Sequence, residues 1–149
     1  MKCGCFAQAS ICGDGNHPNL RGTVRFFPCG RGTMVVARVQ GLPDSERGFF
    51  GFHIHEGGDC RGQDFPNTGG HYDPVGNTHP RHAGDLPPLL GAGGRAYLAV
   101  LTDRFRLEDI IGRTVVIHSH PDDFKTQPSG AAGSRIGCGV IQKRCAARR

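Results

Sequence analysis

The chain of 149 residues has about the length of one ordinary domain, which leaves no room for a second comparable core. Its 24 glycines and 10 prolines, with no tryptophan, favour short strands joined by turns and argue against a helical protein. The formal net charge of +5 would suit an anionic partner but does not identify one. We therefore expect a single domain over residues 1–149, with its core at about 6–141 and a basic C-terminal tail at 142–149.

The two ends of the chain carry few functional signals. The first residues lack the apolar core of a secretory signal, and seven cysteines leave at least one thiol unpaired, so we expect a cytoplasmic location. Cys3 and Cys5 are expected to be exposed thiols without a role. The basic tail is expected to be frayed and solvated, and no aromatic or groove-reading residues accompany it, so we expect no nucleic-acid partner. No apolar run reaches the roughly 20 residues of a membrane-spanning helix, so we expect no membrane association.

Alternation of apolar residues with polar or small ones predicts seven strands. They are expected at residues 6–11, 20–27, 34–39, 49–55, 96–101, 114–118 and 136–141. Turn residues such as Asp14-Gly15-Asn16 separate them. Residues 107–111 could form an eighth strand or one helical turn. Many short antiparallel strands predict an all-β sandwich or barrel.

Two long segments, 57–94 and 119–134, interrupt this rhythm. The first is dense in glycine, proline, histidine and aspartate. Loops of this length are usually functional or disordered. Disorder is the weaker interpretation for the first segment, because the spacing of its histidines suggests ligands that hold it in place.

His53 and His55 form a His-x-His pair within a predicted strand. The period of two places both imidazoles on one face, where two nitrogen atoms can reach one ion. A partly exposed polar face would give the same pattern. His118 ends another strand and His71 lies where the long loop returns, but neither position alone separates a ligand from a hydrogen-bonded histidine.

His79, His82 and Asp85 form a denser cluster within seven residues. Two imidazoles and a carboxylate suit Zn²⁺, which accepts nitrogen and oxygen ligands tetrahedrally. With His71 as the fourth ligand, such a site would be closed and structural, and it would pin a loop too polar to pack by itself. The alternative is a solvated histidine-rich loop.

Four segments together resemble the copper/zinc superoxide dismutase family. They are GFHIHE at 51–56, GHYDP at 70–74, HAGD at 82–85 and GSRIGCGVI at 133–141. The resemblance also takes in the first strands and covers the chain from about residue 6 to 141. DLPPL at 85–89 and IHSHPDDF at 117–124 are most similar to the compact bacterial members.

The resemblance implies a complete set of site residues. Copper would be held by His53, His55, His71 and His118, and zinc by His71, His79, His82 and Asp85. It implies that Arg135 guides superoxide to the copper, and that His71 bridges the metals, releases copper and takes up a proton during turnover. It further implies that Asp122 links one ligand of each metal, and that Cys60 and Cys138 form a disulfide.

The family fold is an eight-stranded Greek-key β-sandwich or flattened barrel with long metal-binding loops, which agrees with the predicted strands. The implied activity is the disproportionation of superoxide to O₂ and hydrogen peroxide, with copper cycling between oxidation states beside a structural zinc. The alternatives are a non-catalytic copper/zinc storage or delivery domain and a zinc-stapled interaction module. The sequence allows a monomer or a homodimer.

Five further residues receive simple expectations. Cys12, Cys29 and Cys145 are expected to be small core or surface residues. His120 follows His118 at strand spacing, but beyond the strand end we expect it to face solvent. His17, within Asn16-His17-Pro18, is typical of an ordinary turn residue.

Overall fold

The computed structural model describes residues 4–45 and 47–145, and most of their regular structure is β-strand. The expectations for Cys3 and for the last four residues of the basic tail fall outside these residues. None of the helices within the described ranges is long and apolar enough to cross a membrane.

All seven predicted strands are present, together with two further short strands, one α-helical turn and a 3-10 turn at Pro66–Thr68. The elements are β1 (Cys5–Gly13), β2 (Arg21–Cys29), β3 (Gly32–Gln40), β4 (Phe49–Phe50), β5 (Phe52–His55), β6 (Leu89–Leu90), β7 (Arg95–Thr102), α1 (Leu107–Ile110), β8 (Thr114–His118), β9 (Arg135–Val140) and β10 (Gln142–Cys145). The predicted strand at 49–55 is divided at Gly51, and residues 107–110 form the helical turn that the sequence left as one of two possibilities.

The strands form one large antiparallel sheet and one small one. The eight-stranded sheet runs β5-β8-β9-β1-β2-β3-β7, with β10 also paired to β1, and β4 pairs with β6 in a two-stranded sheet. β9 returns late in the chain to lie beside β1, as in a Greek key. The prediction of an all-β fold built on an eight-stranded curled sheet is confirmed.

Alternation along each strand determines which side chains enter the core. Val24 and Phe26 of β2 and Val35 and Ala37 of β3 are fully buried, while Arg25 between the first two is exposed. Burial of a Val or Phe side chain contributes about 1.5–3 kcal/mol, so these buried residues stabilise the packing of β2 and β3. This core supports the face that carries the histidines.

In β5 the alternation separates apolar from functional side chains. Phe52 and Ile54 belong to the hydrophobic core, whereas His53 and His55 occupy the intervening positions. Both histidines are nonetheless buried. A half-buried sheet would expose its outer face, so the long loops must cover this one.

The expectation of a frayed tail and the expectation of a free thiol at Cys5 are wrong, whereas Cys145 lies at the surface as expected. The tail was expected to be frayed from residue 142, but Gln142–Cys145 form β10, which pairs with β1 from Cys5 opposite Cys145 to Gln8 opposite Gln142. Cys5 and Cys145 form a disulfide across this pairing. The expectation of a frayed tail failed because local composition indicates only that a segment is solvated. It does not show whether a strand elsewhere in the chain can pair with that segment.

Candidate metal centre

The backbone of the first long loop is held directly against β5. Isolated antiparallel bridges join His53 to Asp85 and His55 to His71. Between them, Gly84 accepts a hydrogen bond from the Ile54 N–H at 2.9 Å and donates one to the Tyr72 carbonyl at 2.8 Å. These contacts bring three separate parts of the sequence into one ladder of side chains.

Gly51 brings β5 close to the end of β8. The His118 N–H donates to the Gly51 carbonyl at 2.8 Å, and the Gly51 N–H donates to the His120 carbonyl at 2.8 Å. A Cβ at Gly51 would lie 2.8 Å from the Cβ of Ala132 and 3.1 Å from that of His118, so glycine is the residue that fits. The pairing of β8 with β9 also shifts register at His118.

The structure brings together two groups of side chains that could each hold a metal ion. The first group is His53, His55, His71 and His118, and the second is His71, His79, His82 and Asp85. Within each group the candidate ligand atoms lie within 4.8 Å of one another. The groups share His71, so the copper and zinc sets expected from the sequence lie side by side.

The two nitrogen atoms of His71 face different groups. Nδ1 lies 2.7 Å from Asp85 Oδ1, whereas Nε2 is buried without a hydrogen-bond partner among the described residues. The imidazole rings of His53 and His71 lie 3.9 Å apart between centroids, and those of His71 and His82 lie 5.4 Å apart. One imidazole can therefore contribute a nitrogen to each group.

Asp122 contacts one histidine from each group. His53 donates from Nε2 to Asp122 Oδ2 at 2.7 Å, and His79 donates from Nε2 to Asp122 Oδ1 at 2.8 Å. A histidine that is fixed through one nitrogen presents the other in a defined direction. The Asp122 contacts therefore turn Nδ1 of both histidines towards the interior of the groups.

The unpartnered nitrogen atoms fit the presence of metal ions. Within residues 4–45 and 47–145, the buried side-chain atoms without a hydrogen bond are His53 Nδ1, His71 Nε2, His79 Nδ1 and His82 Nδ1. A buried polar atom without a partner is costly, and native structures contain few. That all four atoms belong to the two groups indicates that the chemistry of the site is completed by ions.

Burial keeps three histidines of the first group, His53, His55 and His118, in the form that binds metals. Desolvation lowers the pKa of His118 to about 3 and holds the pKa of His55 well below its ordinary value. It also lowers the pKa of His53, although the hydrogen bond to Asp122 opposes this effect. Near neutral pH these imidazoles are uncharged, as nitrogen ligands must be.

Asp122 remains ionised despite its burial. Burial raises the pKa of its carboxyl group, but hydrogen bonds from His53, the Phe124 N–H and His79 outweigh this effect and lower the pKa to about 2. The carboxylate can therefore accept hydrogen bonds from both histidines at neutral pH.

Arg135 lies at the edge of the first group, opposite His118 in the pairing of β8 with β9. Its guanidinium donates to the Phe65 carbonyl from Nη1 and to the Gly69 carbonyl from Nη2, each at 3.0 Å. The Gly69 carbonyl also accepts a hydrogen bond from His55 Nδ1 at 2.9 Å. The same loop carbonyl therefore orients both the arginine and a histidine.

Cys60 and Cys138 form the disulfide that the resemblance implied. With Phe65 and Val116 they make a small hydrophobic cluster separate from the main core. The disulfide and this cluster fix the loop that supplies the Phe65 and Gly69 carbonyls to Arg135. Cys12 and Cys29 are exposed and unpaired among the described cysteines.

The remaining histidines lie outside both groups. His120 is exposed, as expected, and shares a 2.8 Å hydrogen bond with Ser119 Oγ. His17 lies in the β1–β2 turn, where its Nδ1 donates to Asp14 Oδ1 at 2.6 Å.

The site requires one glycine that no sequence pattern predicts. Gly130 has φ +72°, and a Cβ there would lie 2.2 Å from Asp122 Oδ1 and 2.6 Å from His79 Nε2. Only a residue without a side chain allows the 119–134 loop to pass over this hydrogen bond. A single glycine within a long loop gives no sequence signal of that role.

The fold and the site together define a class: a small β-barrel protein with two adjoining candidate metal sites that share one histidine. A sequence model of the copper/zinc superoxide dismutase (SODC) family matches residues 20–141.

Three relatives illustrate the similarity. A copper/zinc superoxide dismutase of Deinococcus radiodurans is 36% identical, with 89% of each chain covered. Copper/zinc superoxide dismutase 3 of Arabidopsis thaliana is 38% identical over 91% of this chain and 88% of its own. The enzyme of Legionella pneumophila is 35% identical over 90% of this chain and 85% of its own. The chain belongs to the copper/zinc superoxide dismutase family, whose members are oxidoreductases with copper and zinc as cofactors.

Proposed function

We propose that this chain catalyses the disproportionation of superoxide, in which two superoxide anions and two protons give O₂ and hydrogen peroxide. The observation that carries the proposal is the position of His71, with one nitrogen in each of two adjoining groups of candidate metal ligands. A storage or delivery domain would need only the ligands. The relatives named as superoxide dismutases favour the catalytic function.

The four-histidine group is the proposed copper site. His53 would bind through Nδ1 and His71 through Nε2, the atoms that lack hydrogen-bond partners in the described structure. His55 and His118 would bind through Nε2, because these two atoms face each other at 3.2 Å. Imidazole ligands suit both Cu(II) and Cu(I), so copper bound here would supply one-electron redox chemistry.

The second group is the proposed zinc site. His71, His79 and His82 would each bind through Nδ1, and Asp85 through its carboxylate. Three nitrogen atoms and one oxygen atom fill a tetrahedral zinc site and leave no open position. Zinc is therefore assigned a structural role, which is to fix the first long loop and one face of His71.

Arg135 is the proposed binding group for superoxide. A guanidinium carries a positive charge and a planar set of donors, so it can hold a small anion by charge and hydrogen bonding together. The contacts of Nη1 and Nη2 with loop carbonyls restrict the orientation of the side chain. The positive charge also attracts superoxide from solution, an effect that salt would weaken; this enzyme family is a standard example of such steering.

His71 is the proposed proton carrier. Its Nδ1 is engaged on the Asp85 side, so Nε2 is the position at which a proton can be held and released. Nε2 lies among the other histidines of the first group, where the second superoxide must receive a proton. We assign Asp122 the orientation of His53 and His79, since it accepts a hydrogen bond from each.

Three wider predictions accompany this function. One hydrophobic cluster extends from Ala7 to Ile141, which supports a single domain. The chain is predicted to be a monomer or a homodimer, and light scattering would distinguish the two. The cytoplasmic location also stays a prediction, and because two disulfides are more typical of an oxidising compartment, fractionation of cells is its direct test.

The test is the rate of superoxide loss with protein reconstituted with copper and zinc, compared with metal-free protein and with free copper at the same concentration. We expect metal-dependent turnover well above that of free copper. Tight binding of both metals without such turnover would contradict the proposal and support the storage or delivery alternative.

A further inference from the structure

The backbone of the short turn that follows His79 is held by a side chain from outside the loop. Arg104, just after β7, directs Nη1 to three backbone carbonyls: that of Pro80 at 2.8 Å, that of His82 at 3.2 Å and that of Asp85 at 3.4 Å. Two of these carbonyls belong to proposed zinc ligands. Arg104 therefore contacts the backbone of two proposed ligands.

A second outside side chain holds the start of the same turn. Gln127, in the 119–134 loop, accepts a hydrogen bond from the His79 N–H at 2.9 Å and donates one to the His79 carbonyl at 2.6 Å. The amide thus matches both backbone groups of one proposed ligand, as a neighbouring strand would. Together Arg104 and Gln127 contact the backbone of His79, His82 and Asp85.

The charge of Arg104 is notable because the site beside it would hold a dication. Arg104 forms no ion pair within residues 4–45 and 47–145, so its charge is directed at carbonyl dipoles. By Coulomb's law alone, a cation near Zn²⁺ weakens zinc binding. Its hydrogen bonds to the turn act in the opposite direction, because a turn already held in its binding shape loses less entropy when the ion arrives.

We propose that Arg104 is a positioning residue that fixes the turn from His79 to Asp85 in its zinc-binding form, with Gln127 holding the first residue of that turn. The inference rests on the proposed zinc site. Both contacts are hydrogen bonds between protein groups, so neither needs the ion as a partner. This role explains how a loop rich in glycine and proline can present three ligands within seven residues.

Substitutions at Arg104 separate this role from a simple effect of charge. Arg104→Met keeps most of the aliphatic stem but removes every donor, and we expect zinc affinity to fall about 10- to 100-fold, the usual effect of losing a group that orients ligands. Arg104→Lys keeps a point-like donor group with three hydrogens, which suits three converging carbonyls. We expect it to restore affinity to within about 5-fold of the unaltered chain.

Arg81→Met is the matched control. Arg81 is exposed in the same turn, and no hydrogen bond of its side chain is found in the described part of the chain. Its loss removes the same charge near zinc, so electrostatics alone predict equal or tighter zinc binding. The proposed positioning role therefore predicts weaker zinc binding for Arg104→Met, whereas Arg81→Met should bind zinc equally well or more tightly.

The experiment is a competition titration of zinc against a chromophoric chelator, with copper affinity and circular dichroism measured on the same samples. We expect weaker zinc binding by Arg104→Met, rescue by Arg104→Lys, unchanged copper affinity and a folded spectrum. Equal zinc affinity in Arg104→Met and the unaltered chain would overturn the proposal, as would equal losses in the Met and Lys variants. If Arg104→Met does not fold, the comparison of Arg104→Lys with Gln127→Met replaces it, because Gln127→Met loses both hydrogen bonds to His79 without adding a charge. Equal affinities in these two variants would overturn the proposal. The experiment measures zinc affinity and not turnover, so its result can be interpreted even if the protein does not dismutate superoxide.

Discussion

Strands β2 and β3 pair along nine residues without interruption, from Arg21 opposite Gln40 to Cys29 opposite Gly32. The first long loop has no such regularity. It contains one short 3-10 turn at Pro66–Thr68 and the two residues of β6, and it is held by isolated bridges, a disulfide and individual side-chain hydrogen bonds. The sheet repeats one kind of contact many times, whereas each contact of the loop is made once.

This difference predicts where substitutions act. A change in the sheet removes one of many similar contacts and acts mainly on stability. A change among the single contacts around the two groups displaces a particular nitrogen atom or charge, so it acts mainly on metal binding and turnover.

The largest loss is expected for His118→Ala, with His120→Ala as its matched control. His118 is buried in the first group, whereas His120 is two residues away and exposed. Loss of a proposed copper ligand should reduce dismutation more than about 100-fold, since even the outer partners of ligands affect metal affinity 10- to 100-fold. His120→Ala should keep activity within about 2-fold of the unaltered chain, because a solvated side chain contributes little. Similar activities in the two variants would contradict the copper assignment.

Gly130→Ala tests the steric effect of a side chain placed against Asp122. Gly76→Ala is its control, because it tests the effect of backbone strain alone. The two glycines have similar φ values, +72° and +77°, but a Cβ at Gly76 meets no atom within 4 Å. Both alanines should cost about 1–2 kcal/mol of stability for the left-handed backbone. Only Gly130→Ala should also displace Asp122 and lower zinc affinity and turnover, by about 10- to 100-fold. Chemical denaturation and zinc titration of both variants measure the two effects separately.

Arg135→Gln is expected to lower the rate about 10-fold and to flatten its dependence on ionic strength, because the steering charge is removed. Arg135→Lys should keep the salt dependence while losing the planar fork that holds the anion. Arg31→Gln, a charge change at the β2–β3 turn, should leave the rate unchanged. Stopped-flow rates over a range of salt concentrations provide the test, and an equal effect of the Arg31 and Arg135 changes would count against a specific role.

Both disulfides should stabilise the fold, but only the Cys60–Cys138 disulfide should affect turnover. Cys5 and Cys145 lie 140 residues apart and Cys60 and Cys138 lie 78 apart, so on the chain-entropy model each link stabilises by about 4–5 kcal/mol. Replacing both members of either pair by alanine should lower the denaturation midpoint. Only loss of the Cys60–Cys138 pair should also lower turnover, by less than about 10-fold, because its loop orients Arg135. Equal turnover in the two double variants would show that Arg135 is oriented without that disulfide.

Most of the sheet could be predicted from the sequence, because alternation is a local property with a period of two. It gave the seven strands and placed His53 and His55 on one face, away from Phe52 and Ile54. It did not give β6 or β10, which are short and depend on a partner strand elsewhere in the chain. β10 carries no buried residue, so it has no apolar alternation to detect.

The sequence by itself determined the fold class and the membership of the two groups, through the resemblance of motifs that span nearly the whole chain. Only the tertiary structure decided which nitrogen atom of each histidine is free. That choice depends on partners far away in sequence: Asp122 lies 69 residues from His53 and 43 residues from His79. Period and composition describe neighbours along the chain, whereas the direction of a nitrogen atom is set by what the folded chain places opposite it.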